Sequence, residues 1–402
     1  MLEIKGKVNT AICYAKVIEE EAIEQIRRMC DHELTRGSKI RIMPDVHAGK
    51  GCTIGTTMTV SDKVCPNIVG VDIGCGMYTV KLSDTKLDFE KIDEACHYIP
   101  SGKNVWEGRQ ERFPLTDLCC YRSLRDSKRL ERSLGTLGGG NHFIEVDKAS
   151  DGTYYLVIHS GSRNLGKQVA EIYQNLAIEL HMGKEEYFKK RDEIIQLYKA
   201  EGRRSEIQNA LKELQKHYET HELFVPEDLC WLYGTFLEDY LHDVEICQNF
   251  AKRSREKMAE IIWERTGMTA LDSFHTIHNY IDIGEKILRK GAIAAHAGKK
   301  VLIPINMRDG SVIALGKGNS EWNDSAPHGA GRLMSRSKAK ELLALEEYKK
   351  AMQGIYTTSV NEMTIDEAPM AYKSLEDILD VICESVDVID IMKPVYNFKA
   401  SS

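Results

Sequence analysis

The sequence predicts a mixed fold in which strands and helices occupy separate stretches of one chain. Three observations carry this. About the first 160 residues are punctuated by glycine and hold short β-type runs, the stretch from about Gly166 to Gly267 has Leu and Ile at helical spacing among charges, and strand-like segments return after it. With 402 residues, 42% hydrophobic and 29% charged, the chain has the balance of a soluble globular protein, which excludes disorder and collagen-like repetition. The length suits two to three domains, or equally one large mixed domain with an insertion.

In chain order, strands are expected at Lys39 to Met43, Cys52 to Val60, Met77 to Leu82 and Tyr154 to Ile158. Between them lie the loops HAGKG (His47 to Gly51), GVDIGCGM (Gly70 to Met77) and GTLGGGNHF (Gly135 to Phe143). Their glycines permit tight turns, and equally a close approach of backbone to a ligand. The helical stretch shows one face in Val169, Ile172, Tyr173, Leu176 and Leu180 and another in Ile207, Leu211, Leu214 and Tyr218. Its Lys and Glu residues read as a solvated face. Strands are then expected at Ala292 to Ala295, Val301 to Ile305 and Val312 to Leu315. Ser374 with Asp377 signals a helix start, followed by Leu375, Ile378, Leu379, Ile382 and Val386 on one face, and KPVYNFKA reads as a final strand or tail.

The formal charge of −7 gives no whole-molecule footprint of a nucleic-acid binder, so any RNA or DNA contact must be local. No apolar run approaches the roughly 18 to 20 residues that span a bilayer, and the eleven scattered cysteines lack the spacing of a disulfide framework. A cytoplasmic protein with mostly buried, reduced cysteines is expected.

Four histidines recur beside Gly, Asn or Ser in loops: His142 in GGGNHF, His159 in IHSGSRN, His278 in HTIHNY and His328 in APHGAGR. One such histidine is commonly structural; four in the same context predict a shared cleft. Asp72 and Cys75 add a carboxylate and a thiolate three residues apart, within reach of one ion, or of two ions sharing the sulfur. Imidazole and thiolate favour Zn²⁺ over Mn²⁺ or Mg²⁺, and these residues alone do not name the metal. Arg163, Arg289, Lys290, Arg332, Arg336 and Lys399 adjoin the histidine loops or lie in the tail, with acidic residues expected elsewhere, so a locally positive cleft for a phosphate ligand is predicted. No Walker-type loop or Rossmann fingerprint is present.

Seven motifs in order, RIMPDVHAGKGCTIG, GVDIGCGM, GTLGGGNHFIEV, HSGSRNLG, HNY, RKGA and HGAGRLMSR, resemble the RtcB family of GTP-dependent RNA ligases, from about Arg41 to the C-terminal KA. The resemblance implies an α+β fold, a single catalytic domain over residues 1–402 with a helical insertion at 166–267, two Mn²⁺ ions, GTP and a guanylylated histidine. By motif, Asp72 and His142 would bind one ion, His159 and His278 the other, and Cys75 would bridge them; Zn²⁺ would then be an inhibitory occupant. His328 would be the nucleophile that takes up GMP. Phe143 and Glu145 would lie in the nucleotide pocket, with Glu145 accepting from guanine N1–H and N2–H₂. Asn141 would contact phosphates or a metal-bound water, and Tyr372 and Lys399 would line the base and ribose pocket. Asp45 and His47 would sit near the reacting ends, Arg163, Arg332 and Arg336 would hold RNA phosphates, and His275 would be structural or support the ligands.

Pro304-Ile305-Asn306-Met307 stands where the family usually has Pro-Gly-Ser-Met against the nucleotide, which places Asn306 in that pocket and points to a divergent bacterial-type branch. The implied activity joins RNA 3′-phosphate or 2′,3′-cyclic phosphate ends to 5′-hydroxyl ends, on broken tRNA or rRNA, in repair or tRNA splicing, with an archease-like activator as a further implied partner. Two other readings stand beside it: a metal-dependent phosphodiesterase that processes RNA ends without ligation, and a catalytically idle RNA-binding subunit.

Overall fold

The computed structural model describes residues 1–216 and 221–400. Two large sheets, two two-stranded ribbons and a set of helices make an α+β protein. One sheet runs in the order Leu2–Lys5, Thr10–Cys13, Ile40–His47, Ile54–Thr59, Ile287–Lys290, Asn279–Asp282. The other runs Ala270–Ile277, Gly76–Leu82, Tyr154–Ser160, Phe143–Lys148, Val386–Lys399, Gly310–Gly316, Lys300–Asn306. Among the described pairings between strands only Thr10–Cys13 with Ile40–His47 is parallel. The strands foreseen from β-type runs are all present, and a ribbon of Ala292–Ala294 with Ser325–Pro327 leads into His328.

The helices are long where the apolar spacing is helical. Val169, Tyr173 and Leu180 are buried on Arg163–His181, with Ile172 and Leu176 packed half-buried beside them. Glu185–Ala200 and Ile207–Lys216 are mostly exposed, with Ile207, Leu211 and Leu214 half-buried; Tyr218 lies outside the described residues. Gly234–Thr266 is the longest helix, and Gly267 closes it in the left-handed region at φ +80°, its N–H bonded to Trp263 O. Val244 and Phe250 of this helix pack in a core with Ile40, Ile42, Met58 and Leu288 of the first sheet, whereas Met258 and Ile262 pack in a second core with Val80, Ile144 and Leu156. One rod thus joins both apolar clusters.

Ser374 and Asp377 form the expected reciprocal cap of Leu375–Ile382. Val386 does not continue its apolar face: the helix ends at Ile382, and Val386 opens the strand Val386–Lys399. That strand pairs with Phe143–Lys148 in a register that sets Lys399 opposite Phe143 and Asn397 opposite Glu145. All eleven cysteines are free, and all but Cys119 and Cys383 are buried. Among the described residues no helix is long and apolar enough to cross a membrane.

Candidate active site

Four strands bring their ends together beside the glycine-dense loops. The Gly70–Gly76 turn enters the strand Gly76–Leu82, whose neighbour Tyr154–Ser160 carries His159 next to its last residue; Phe143–Lys148 begins just after His142; His278 follows the edge strand Ala270–Ile277. Antiparallel register therefore puts strand ends from distant parts of the chain at one place. Gly74, at φ +76°, lets the turn rest on the long helix, since a Cβ there would stand 2.8 Å from Gln248 Cα. Gly161 leaves room for a carboxylate, since its Cβ would lie 2.1 Å from Asp72 Oδ1.

The five expected ligands converge. Cys75 Sγ lies 3.5 Å from His142 Nε2 and 3.3 Å from His159 Nε2. His142 Nε2 is 3.0 Å from Asp72 Oδ2, and His159 Nε2 is 3.1 Å from His278 Nε2. The sulfur stands between an Asp72–His142 pair and a His159–His278 pair. His142 Nδ1 bonds Leu137 O at 2.9 Å and His159 Nδ1 bonds Asn141 O at 3.2 Å, which fixes N–H on the outer nitrogen and aims the Nε2 lone pairs inward. Burial, then neighbouring charges led by His142 for His159 and His328 for His278, holds both imidazoles well below their ordinary pKa and therefore neutral. Burial and the Asp72 carboxylate push the Cys75 thiol well up, so a thiolate at this place needs positive charge beside it. Burial would raise Asp72 too, but the hydrogen bond and charge of His142, with Arg163 beyond, hold it down. Neutral inward imidazoles, a carboxylate and a sulfur are a donor set that fits divalent cations.

His328 stands beside this cluster, its ring stacked on His278 with centroids 4.8 Å apart. Its Nδ1 lies 2.7 Å from Oδ2 of the fully buried Asp45, and the same oxygen accepts the His328 backbone N–H at 3.1 Å. His47 Nδ1 bonds Asp45 O at 3.0 Å, and burial lowers its pKa. His275 is turned away, stacked on Tyr78 and bonded to Glu256.

A cavity of about 270 Å³ opens over His328, His159 and His278. His47, Asn141, Phe143, Glu145, Asn306, Arg332, Arg336, Tyr372 and Lys399 line it, so all six expected nucleotide-pocket residues reach one space. Glu145 Oε2 accepts from Asn397 Nδ2 at 2.5 Å, while burial, with the charge of Asp147, raises Glu145 well above the ordinary range. Asn306 also holds its own turn, accepting from the Arg308 and Asp309 N–H groups. Tyr372 donates to Glu367 Oε2, and Lys399 pairs with the same carboxylate.

The basic residues behave differently from expectation. Arg289 is fully buried, bonded to Tyr280, Ser325 and Asn323, and Lys290 bonds the Lys50 and Asn67 carbonyls. Arg163 braces the glycine loop through Thr136 Oγ1 and Gly102 O and does not line the cavity. Nor are the acidic residues elsewhere: Arg332 and Arg336 reach the rim paired with Asp366 and Glu367. The cleft is therefore a mixed network and not a simple positive patch. Glu367, Asn397 and Arg255 were not foreseen. Arg255, buried on the long helix, donates to Gly74 O and Ser160 O and so fixes two strand ends behind the cluster. An arginine on the buried face with Ala251, Ser254 and Met258 was its only signal.

Fold and site together define a class: an α+β protein whose strand ends gather a Cys–His–Asp cluster compatible with metal binding, at the floor of a polar cavity. The chain belongs to the RtcB family, whose profile, described as tRNA-splicing ligase RtcB, matches residues 34–118 and 117–400. It is 31% identical over 398 residues to the RNA-splicing ligase RtcB of Escherichia coli K12, covering 89% of this chain and 88% of that protein. It is 26% identical over 420 residues to the tRNA-splicing ligase RtcB of Aeropyrum pernix, covering 85% and 83%.

Proposed function

We propose that this protein is a GTP-dependent RNA ligase that joins a 3′-phosphate or 2′,3′-cyclic phosphate end to a 5′-hydroxyl end, with His328 as the group that carries GMP. The observation that carries the reading is the Nδ1 bond of His328 to buried Asp45, which leaves Nε2 as the free lone pair at the cavity beside the ligand cluster. Asp72 and His142 on one side, His159 and His278 on the other, and Cys75 between them would hold two Mn²⁺ ions. When bound, these supply positive charge against the phosphates and replace the charge that a Cys75 thiolate requires.

The chain's own groups account for the rest. His328 Nε2 attacks the α-phosphorus of GTP, pyrophosphate leaves, and Asp45 stabilises the positive ring while holding Nδ1–H. The RNA 3′-phosphate then takes GMP from His328, which leaves as a neutral imidazole, and the 5′-hydroxyl displaces GMP to form the phosphodiester. Glu145 accepts from guanine, held by Asn397 from behind. Phe143, Asn306 and Tyr372 shape the pocket, Lys399 anchors its wall through Glu367, and Asn141 and His47 face the phosphates. Arg332 and Arg336 meet RNA phosphates at the rim by exchanging carboxylate partners, whereas the Arg163 donors stay with the loop. Broken tRNA or rRNA in the cytoplasm is the proposed substrate, in repair or splicing, with an archease-like protein as activator.

Incubation with α-³²P-GTP and Mn²⁺ tests the proposal. Wild type should become covalently labelled and His328→Ala should not. Wild type that stays unlabelled with every divalent metal across the neutral pH range would overturn it, and cyclic phosphate cleavage by His328→Ala without GTP would favour the phosphodiesterase.

A further inference from the structure

A second set of metal-type ligands lies on the far part of the long helix, with no residue in common with the Cys75 cluster. Asp239, His242 and Asp243 stand at i, i+3 and i+4 on Gly234–Thr266 and therefore share one face. The chain after the short turn Leu115–Asp117 crosses that face and brings Cys119 to it. Ligand atoms of Cys119, His242 and Asp243 all lie within 4.8 Å of one another. Asp239 stands one turn before Asp243 on the same helix face, beside the Cys119 thiol, whose pKa its charge helps to raise.

Each ligand is prepared as a zinc site requires. Asp243, fully buried, is held by Cys120 N and Tyr173 OH on Oδ2 at 3.0 and 2.8 Å, while Oδ1 accepts only Cys119 N at 2.8 Å. One lone pair of Oδ1 remains. His242 gives Nε2–H to Asp117 O at 3.0 Å, the outer bond common to metal-bound histidines, and so keeps Nδ1 as its free nitrogen. Cys119 and His242 are exposed and stand on the solvent side of buried Asp243. No lysine or arginine forms an ion pair with Asp239 or Asp243 among the described residues, so two carboxylates flank a thiol without a cation. An acidic cluster alone would suit Ca²⁺ or Mg²⁺ or nothing; sulfur and imidazole in the same set select a softer ion.

We propose that Cys119, His242 and Asp243, with Asp239 as fourth ligand, form a structural zinc site that clamps the Leu115–Cys120 segment to the long helix. Tetrahedral bonds of about 2.0 to 2.3 Å match donor atoms gathered this closely. The same helix carries Gln248 and Arg255, which support Ile281 N and Gly74 O, so the clamp steadies the rod on which the Cys75 cluster rests.

The test uses metal-stripped, full-length Cys75→Ser protein, which removes the other candidate thiolate, titrated with Co²⁺. One equivalent should bind with a sulfur-to-cobalt charge-transfer band, and Zn²⁺ should displace it. The Cys75→Ser/Cys119→Ser and Cys75→Ser/His242→Ala proteins should lose that band while keeping a wild-type circular dichroism spectrum, and zinc should raise Tm only where the band is present. A Cys75→Ser protein without the band, or a band that survives either second substitution, would overturn the site. Both added changes are at exposed side chains, so loss of fold is not expected to intervene.

Discussion

His328 and Asp45, 283 residues apart in the chain, meet twice through one carboxylate oxygen: by the ring Nδ1 at 2.7 Å and by the backbone N–H at 3.1 Å. One buried acceptor thus sets both the tautomer of the imidazole and the position of its backbone.

Asp45→Asn should therefore slow GMP transfer to His328 by about 10²- to 10⁴-fold, because an amide can neither fix that tautomer reliably nor stabilise the ring's positive charge. Single-turnover labelling with α-³²P-GTP checks this. A rate equal to wild type would remove Asp45 from the chemistry.

Gly161→Ala should weaken Mn²⁺ binding by about 10- to 100-fold, the usual cost of disturbing what orients a ligand. The added Cβ would fall on the Asp72 carboxylate, not on the backbone of a neighbouring strand. Titration calorimetry with Mn²⁺ reads the change, and unaltered affinity would show that Asp72 is not held there.

Glu145→Gln should cost about 10-fold in GTP binding, since guanine's two donors would favour the ionised form that burial and Asp147 disfavour, whereas the amide presents one donor of its own to a guanine edge made of donors. Competition with ATP and ITP measures it. Undiminished preference for GTP would place guanine recognition elsewhere in the cavity.

Glu367 supplies a pH signature. Burial would raise its pKa, but Lys399 and Arg336, with the Tyr372 hydroxyl, bring it to about 2, against roughly 4.3 in an unfolded chain. A depressed carboxylate stabilises the fold above its unfolded pKa and stops doing so as pH falls through the folded one. Glu367→Gln should therefore be less stable than wild type at neutral pH, by on the order of 3 kcal/mol, and the gap should close between about pH 4.3 and 2. Denaturant titrations at several pH values test it; a gap independent of pH would assign the loss to packing.

What the sequence made legible was determined by local chemistry. Asp72, Cys75, His142, His159 and His278 could be expected together because each lies at or near a strand end in a run of Gly, Asn or Ser, and antiparallel register carries strand ends to a common edge. Asn306 and Tyr372 reach the cavity by motif position as well. The cationic side chains were not legible in the same way. Arg289 looks like a cleft residue beside His278, yet its strand is buried throughout and the guanidinium turns inward to Tyr280, Ser325 and Asn323. Glu367 belongs to no motif, and its partners Arg332 and Lys399 are more than thirty residues away on either side, a pairing that no periodicity announces. Val386 kept helical spacing after the helix had ended, because an apolar position suits a strand start equally well.

The helix Gly234–Thr266 has a consequence of its own. It threads both apolar clusters and also holds Gly74 O through Arg255, so neither cluster can open without disturbing the other or the turn that bears Cys75. Amide protons in its central turns should exchange with solvent only when the whole molecule unfolds, and the Gly70–Gly76 turn should share that protection despite its glycines. The ligand cluster thereby inherits global cooperativity from a rod that contributes no ligand to it.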